Sequence, residues 1–208
     1  MEAPAPTLSA FHRPPPHGVV RDWFGADGVA RLLDYAVARR DEFRPAGVGN
    51  ATYRVLNPER RISHVLRRLP GLETEVRDKV AALLPAMTAR LQAPAFTPAK
   101  FEIELVAHHD GAFFARHIDT FVKNGPPSTR VISAVYYFHR QPRAFSGGAL
   151  RLMSLAGTDA PGTYVDVPPD NDTLVFFPSW YPHEVLKVLC PSGEFSDSRF
   201  AINCWVHR

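Results

Sequence analysis

Phe113-Phe114-Ala115-Arg116-His117-Ile118-Asp119-Thr120 sets a histidine and an aspartate two positions apart among large apolar residues. Read as a β-strand, the stretch sends His117 and Asp119 to one face, because side chains alternate along a strand. Their Cα atoms would stand roughly 6–7 Å apart, twice the rise per residue. An imidazole and a carboxylate at that spacing can converge on one ion about 2 Å from each. A third ligand must come from elsewhere. The candidate is His183, in Pro178-Ser179-Trp180-Tyr181-Pro182-His183-Glu184-Val185, where a turn carrying two prolines leads into a strand. Alone, His-x-Asp is a weak signal in a chain with 9 His, and His183 alone reads as a half-buried ring under Trp180 and Tyr181. Together, two histidines and one carboxylate leave three positions of an octahedral metal open, the ligand set of non-haem Fe(II) sites.

The surroundings of that stretch read as β. From Lys100 onward the hydrophobic period falls from about 3.6 to 2. Phe101, Ile103, Leu105 and Ala107 alternate with Glu102, Glu104 and Val106, and further strands are predicted over 130–138, 149–153, 164–167, 173–178, 184–189 and 199–206. Turn chemistry separates them at Asn124-Gly125-Pro126-Pro127, Ser146-Gly147-Gly148, Pro168-Pro169-Asp170-Asn171 and Pro191-Ser192-Gly193. Upstream the period is helical. A first helix starts near Asp27, read as its cap, with Val29, Leu32, Leu33, Ala36 and Val37 on one face, and closes at Arg39-Arg40-Asp41-Glu42. A second runs from about Leu72 to Leu91 on a stripe of Val76, Val80, Leu83, Leu84 and Met87, with a kink or break expected at Pro85. Between them Gly47, Gly49, Asn50 and Pro58 interrupt the pattern, which predicts a loop or a short strand pair over 44–70. Two helices followed by about eight short strands predict a mainly β fold with supporting helices, of the jelly-roll kind.

At 208 residues the chain is one domain with a modest extension. Pro4, Pro6, Pro14, Pro15 and Pro16 mark residues 1–18 as an extended, mobile leader, and 19–208 as the folded unit, with helical support over 19–99 and the β core over 100–208. Residues 1–100 carry 15 Lys+Arg against 10 Asp+Glu, and residues 101–208 carry 9 against 11. This asymmetry is too weak to argue for nucleic acid. Cys190 and Cys204 make no disulfide framework. No run is long enough to cross a membrane and the N-terminus lacks a signal-peptide layout, so the expected location is the cytoplasm.

Period 2 also places Arg199, Ala201, Asn203 and Trp205 on one face of the last strand, opposite the more continuously apolar Phe200, Ile202, Cys204 and Val206. An arginine beside a small and a polar residue suggests a pocket for an anion, since guanidinium meets carboxylate bidentately and stays charged. In order, Ala115-Arg116-His117-Ile118-Asp119, Ser133-Ala134-Val135-Tyr136-Tyr137-Phe138, Ser146-Gly147-Gly148-Ala149-Leu150-Arg151-Leu152, Pro182-His183-Glu184-Val185 and Arg199-Phe200-Ala201-Ile202 with Trp205 resemble the Fe(II)- and 2-oxoglutarate-dependent dioxygenases, in their prolyl 4-hydroxylase-like branch. The resemblance covers about residues 100–208, more loosely 20–208. Arg60-Arg61-Ile62-Ser63 also looks like an Arg-x-Ser step that recurs in that family.

The resemblance implies a double-stranded β-helix, a cupin-like jelly-roll barrel. His117, Asp119 and His183 match the iron ligands, and Arg199 matches the partner of the distal carboxylate of 2-oxoglutarate. Tyr137 matches a tyrosine supporting that carboxylate, and Trp205 and Leu150 match lining positions. Fe(II), 2-oxoglutarate and O₂ are the implied cofactors, with ascorbate in a supporting role. The implied reaction hydroxylates a C–H bond and releases succinate and CO₂. Its first-choice substrate is a prolyl residue in a peptide or protein, with the loop at 122–129 placed to fold over it. Two positions depart from the family pattern. His108 stands where tyrosine is usual nine before the first metal histidine, and either donates to the cosubstrate in its place or leaves that contact absent; Phe114 replaces a frequent tyrosine. The stretch 191–198 is an insert expected to form a hairpin loop at the barrel mouth. A free amino acid or small metabolite as substrate, and a metal-binding jelly-roll sensor without turnover, stay open as alternatives. Nucleic-acid demethylation would need a denser basic groove.

Overall fold

In the computed structural model, which describes residues 10–49, 54–120, 129–156 and 163–208, the period-2 segments pair antiparallel into two main sheets. The principal elements are β1 (Gly18–Arg21), α1 (Gly25–Ala38), β2 (His64–Leu66), α2 (Leu72–Leu91), β3 (Lys100–His108), β4 (Phe113–His117), β5 (Arg130–Phe138), β6 (Leu150–Met153), β7 (Tyr164–Val167), β8 (Thr173–Pro178), β9 (His183–Val185) and β10 (Arg199–His207). A 7-stranded sheet runs β1-β8-β5-β10-β3-β2, ending on the short strand Arg44–Pro45. A 5-stranded sheet runs β7-β6-β9-β4, ending on Arg61–Ile62. Strands β3 to β10 make the jelly roll, four in each sheet. The expected fold class is correct.

Alternation gives each strand of the larger sheet two apolar jobs. Ile103, Leu105 and Ala107 of β3, with Phe200, Ile202, Cys204 and Val206 of β10, pack outward on Leu32 and Ala36 of α1 and Val76, Val80 and Met87 of α2. Tyr137, Val175, Phe177 and Ala201 face inward and meet Leu150, Leu152 and Val167 of the smaller sheet. Burying one such side chain stabilises by roughly 1.5–3 kcal/mol. That also explains why, of the kink or break expected at Pro85, there is no break: α2 runs from Leu72 to Leu91 through it. One proline costs about 3 kcal/mol in a helix interior, and the buried Val80, Leu84, Met87 and Leu91 on both sides of it outweigh that.

Other expectations are corrected. The first helix begins at Gly25, with Asp27 in its first turn rather than at its cap. The cap is tertiary: Asp172, in the left-handed region at φ 53°, accepts from the Phe24 and Gly25 amides at 2.8 Å each and from the Tyr136 hydroxyl at 2.8 Å. The region 44–70 holds several short strands that extend both sheets, not one pair. Within residues 10–18 of the leader, Ala10–His12 form a 3-10 turn, the Phe11 carbonyl accepts from the Ala156 amide, and Gly18 pairs with Phe176. The segment 191–198 forms a 3-10 turn at Phe195–Asp197, with the Phe195 ring against Phe43, His109 and Phe200, instead of a hairpin loop. Among the described residues no helix is long and apolar enough to cross a membrane.

Candidate metal and diacid site

Adjacent strands of the smaller sheet set the two histidines face to face. His117, the last residue of β4, pairs in register with His183, the first of β9, and their ring centroids lie 4.2 Å apart. A bulge follows, since Val185 pairs with Phe114 rather than Ala115. Bulges re-aim side chains, and this one lets Phe114 stack on the His117 ring at 3.6 Å and 15°. Both imidazoles are fixed by the same device. His117 Nδ1 lies 2.9 Å from the Ala115 carbonyl and His183 Nδ1 3.0 Å from the Tyr181 carbonyl, each two residues upstream. A carbonyl only accepts, so Nδ1 is the donor in each ring and Nε2 is the nitrogen left to face the site. Burial, followed by the neighbouring His183, pushes His117 down to about 3, so that ring is uncharged at neutral pH.

Asp119 arrives by another route than expected. Strand β4 ends at His117, and Asp119 sits in the bend beyond it, its amide donating to the Ser179 carbonyl at 3.0 Å. The Ser133 hydroxyl donates to Asp119 Oδ2 at 2.6 Å and lies 2.9 Å from the Ser179 hydroxyl. The carboxylate then stands 3.7 Å (Oδ1) from His117 Nε2 and 3.4 Å (Oδ2) from His183 Nε2. One donor atom from each of the three residues falls within 4.8 Å of the others. Burial raises the Asp119 carboxyl, and the two imidazoles, Arg130 and Ser133 outweigh it and hold it below its usual range. Three acceptor atoms aimed at one point fit a divalent cation.

Deeper in the barrel, β3 and β10 pair Arg199 with His108. Arg199 is 1% exposed. Its guanidinium lies over the Tyr137 ring at 4.7 Å, and Nη1 is 3.1 Å from His108 Nδ1. Nε and Nη2 are buried without a hydrogen-bond partner, as is the Tyr137 hydroxyl. Burial pushes that hydroxyl up to about 12 and lowers Arg199. Space for the arginine comes from Gly148. A Cβ there would stand 2.6 Å from Arg199 Cδ and 3.1 Å from Nε, and the glycine adopts φ +69°. A buried guanidinium with two free donors and no carboxylate beside it fits an anionic ligand.

A narrow cavity of about 50 Å³ joins the two sets, lined by all eight residues singled out from sequence: His108, His117, Asp119, Tyr137, Leu150, His183, Arg199 and Trp205. A wider cavity of about 170 Å³ opens on the other side of His117 and Asp119, between Gly47–Gly49, Arg60, Arg61, Ile118 and Trp205. Sequence reasoning missed Ser133, Ser179 and Arg130. The Arg130 guanidinium caps the Trp205 ring at 4.0 Å. Period 2 counted back from Tyr137 points to Ser133, whereas no local signal marks Ser179. The loop expected to close on substrate, 122–129, lies outside the described residues except for Thr129.

A jelly-roll barrel with a two-histidine, one-carboxylate centre and a buried arginine defines a class, that of the non-haem iron oxygenases. Residues 103–207 match the family described as the 2OG-Fe(II) oxygenase superfamily, and the chain belongs to it. An uncharacterized PKHD-type hydroxylase of Synechocystis sp. is 30% identical over 201 residues, which are 94% of this chain and 64% of that protein. The chain thus spans 64% of the length of the curated relative it matches. A prolyl-4-hydroxylase of Pseudomonas putida superposes with a TM-score of 0.67 at 26% identity, over 93% of this chain and 92% of the other. A Trichoplax adhaerens prolyl hydroxylase, solved with a peptide fragment of hypoxia inducible factor, shares the fold, with a TM-score of 0.64 at 15% identity over 92% and 83% of the two chains.

Proposed function

We propose that the chain is a 2-oxoglutarate-dependent dioxygenase that hydroxylates a C–H bond, with succinate and CO₂ as co-products and a prolyl residue of a peptide or protein as substrate. One observation carries the reading: the His117–Asp119–His183 donor set and the two free donors of Arg199 line a single cavity. Bound iron with 2-oxoglutarate and O₂ supplies the oxidising power. The chain supplies placement. His117 Nε2, His183 Nε2 and an Asp119 oxygen would hold the metal on one face, with Ser133 keeping the carboxylate in plane. Arg199 would receive the distal carboxylate, with the Tyr137 hydroxyl beside it. Leu150, Val135 and Trp205 wall the cavity and keep water from the reacting centre.

The substrate reading has two supports. The Pseudomonas putida relative is described as a prolyl-4-hydroxylase and is 26% identical over nearly the whole chain. The wider cavity, beside the donor set, opens to a rim where Ile118 is exposed, which suits a residue presented on a chain.

The test is direct. Purified protein with Fe(II), 2-oxoglutarate and O₂ should release succinate and add one oxygen to proline-containing peptides, read by mass spectrometry. His117→Ala and Asp119→Ala should each reduce succinate to background. Full turnover in both variants removes the metal assignment. Oxygen gained by free proline but by no peptide replaces the peptide reading with the amino-acid one. Metal and 2-oxoglutarate binding without any succinate would make the protein a sensor.

A further inference from the structure

His108 stands where the resembling enzymes place a tyrosine; it lines the narrow cavity, and its Nδ1 meets Arg199. We propose that His108 is a positioning residue for Arg199: by accepting one Nη1 hydrogen it fixes the guanidinium so that the Nε–Nη2 edge, whose nitrogens have no partner, is offered to the diacid. This rests on the reading of Arg199 as the carboxylate partner.

The geometry leaves the guanidinium little choice. Arg199 and His108 are register partners across β10 and β3, so the backbone ladder sets their separation. A guanidinium only donates, so the nitrogen 3.1 Å from Nη1 must carry the lone pair and His108 must hold its proton on Nε2. Burial, reinforced by the charges of Arg199 and Arg61, opposes a second proton. Tyr137 covers one flat face of the guanidinium at 4.7 Å. Gly148 lies against the stem, so closely that a Cβ would reach Cδ at 2.6 Å. With one Nη1 hydrogen engaged, Nε and Nη2 are the nitrogens of this guanidinium that stay buried without a partner. Nε–H and the Nη2–H beside it point the same way and form the side-on fork that matches a carboxylate. The nitrogen facing Arg199 is thus an acceptor, and through it His108 acts on the diacid by way of Arg199, whatever the ring's Nε2–H does.

The test uses the full chain loaded anaerobically with Mn(II) in place of iron, titrated with 2-oxoglutarate. His108→Leu should weaken binding about tenfold, equivalent to about 1.4 kcal/mol, and raise KM for 2-oxoglutarate by a similar factor with kcat nearly unchanged. His108→Asn, whose side-chain oxygen restores an acceptor, should stay within about threefold of the parent. Long-range ¹H–¹⁵N spectra of the parent should identify Nδ1 of His108 as the unprotonated nitrogen from about pH 6 to about pH 8. Where His108→Leu does not fold, the asparagine variant and the tautomer decide. A proton on Nδ1, or parental affinity in His108→Leu, overturns the assignment. If His108→Leu binds normally while Arg199→Met does not, only the role of His108 fails. If Arg199→Met also binds normally, the reading of Arg199 fails with it.

Discussion

Replacing Arg199 by methionine should move ligand affinity and fold stability in opposite directions. The side chain is 1% exposed, and around it lie a neutral imidazole, a phenol ring and the bare backbone of Gly148. Nothing among these offers a negative charge, and burial lowers the arginine's pKa. Without a bound anion the charge is held at a loss, and an apolar residue of similar volume in place of a buried ionic group is often neutral or stabilising by about 1–4 kcal/mol. For a chain of this size each kcal/mol shifts Tm by roughly 2–4 °C. Arg199→Met should therefore melt no lower than the parent. Losing one partner of a buried charge pair costs about 2–5 kcal/mol, or roughly a 30- to 4,000-fold drop in 2-oxoglutarate affinity at 1.4 kcal/mol per factor of ten. Anaerobic calorimetric titration measures the second effect and scanning calorimetry the first. Saturating 2-oxoglutarate at about 100 times the parent's Kd should stabilise the parent by about 2.7 kcal/mol and the variant by less than about 1 kcal/mol. Affinity within about threefold of the parent would refute the assignment. A large fall in Tm would show that the arginine has an internal counter-charge after all.

Gly148→Ala should weaken 2-oxoglutarate binding and lower Tm together, because the new Cβ meets Arg199 Cδ at 2.6 Å and Val188 Cγ2 at 2.9 Å from a backbone at φ +69°. Overpacking of this kind costs about 1–3 kcal/mol, and an unchanged titration would show that the stem can move aside. Ser133→Ala removes the hydroxyl 2.6 Å from Asp119 Oδ2. Outer hydrogen bonds to a ligand carboxylate are worth about 10–100-fold in metal affinity, so a Mn(II) titration with equal affinities would dismiss it as a support. Acid should destabilise the fold early: His64, His108, His109, His117, His139 and His207 are all lowered, chiefly by burial, His109 to about 4 and His117 to about 3. Between about pH 6.5 and those values the unfolded chain binds protons that the fold refuses, so stability falls as pH drops. A Tm that stays flat from about pH 7 to about pH 5 would contradict this.

What could be read from the sequence was whatever a strand's period encodes. Arg199, Ala201, Asn203 and Trp205 were assigned one face by counting, and the ladder of β10 with β3 and β5 preserves that count. The ligand pair was also legible, though for a reason only half correct. The strand carrying His117 stops there, and Asp119 joins it because Ser179 and Ser133 hold the bend. Neither serine forms a pattern with Asp119, being 14 and 60 positions away, so the carboxylate's support was invisible. The cap of α1 was missed for the same reason, since Asp172 lies far along the chain from Gly25.

His108 sharpens the distinction between identity and role. Its place on the inward face of β3 follows from alternation, and its chemistry suggested a donor to the ligand. Which nitrogen bears the proton depends instead on the residue across the ladder, and that residue can only donate. A buried arginine thus gives the histidine a second role, as a brace. The brace works because the pair is enclosed, with the Tyr137 ring under the guanidinium and Gly148 against its stem. The three residues that constrain that edge, His108, Tyr137 and Gly148, all stand in the sequence, but they converge on Arg199 only once β3, β5 and β10 lie side by side with Gly148 against the arginine stem.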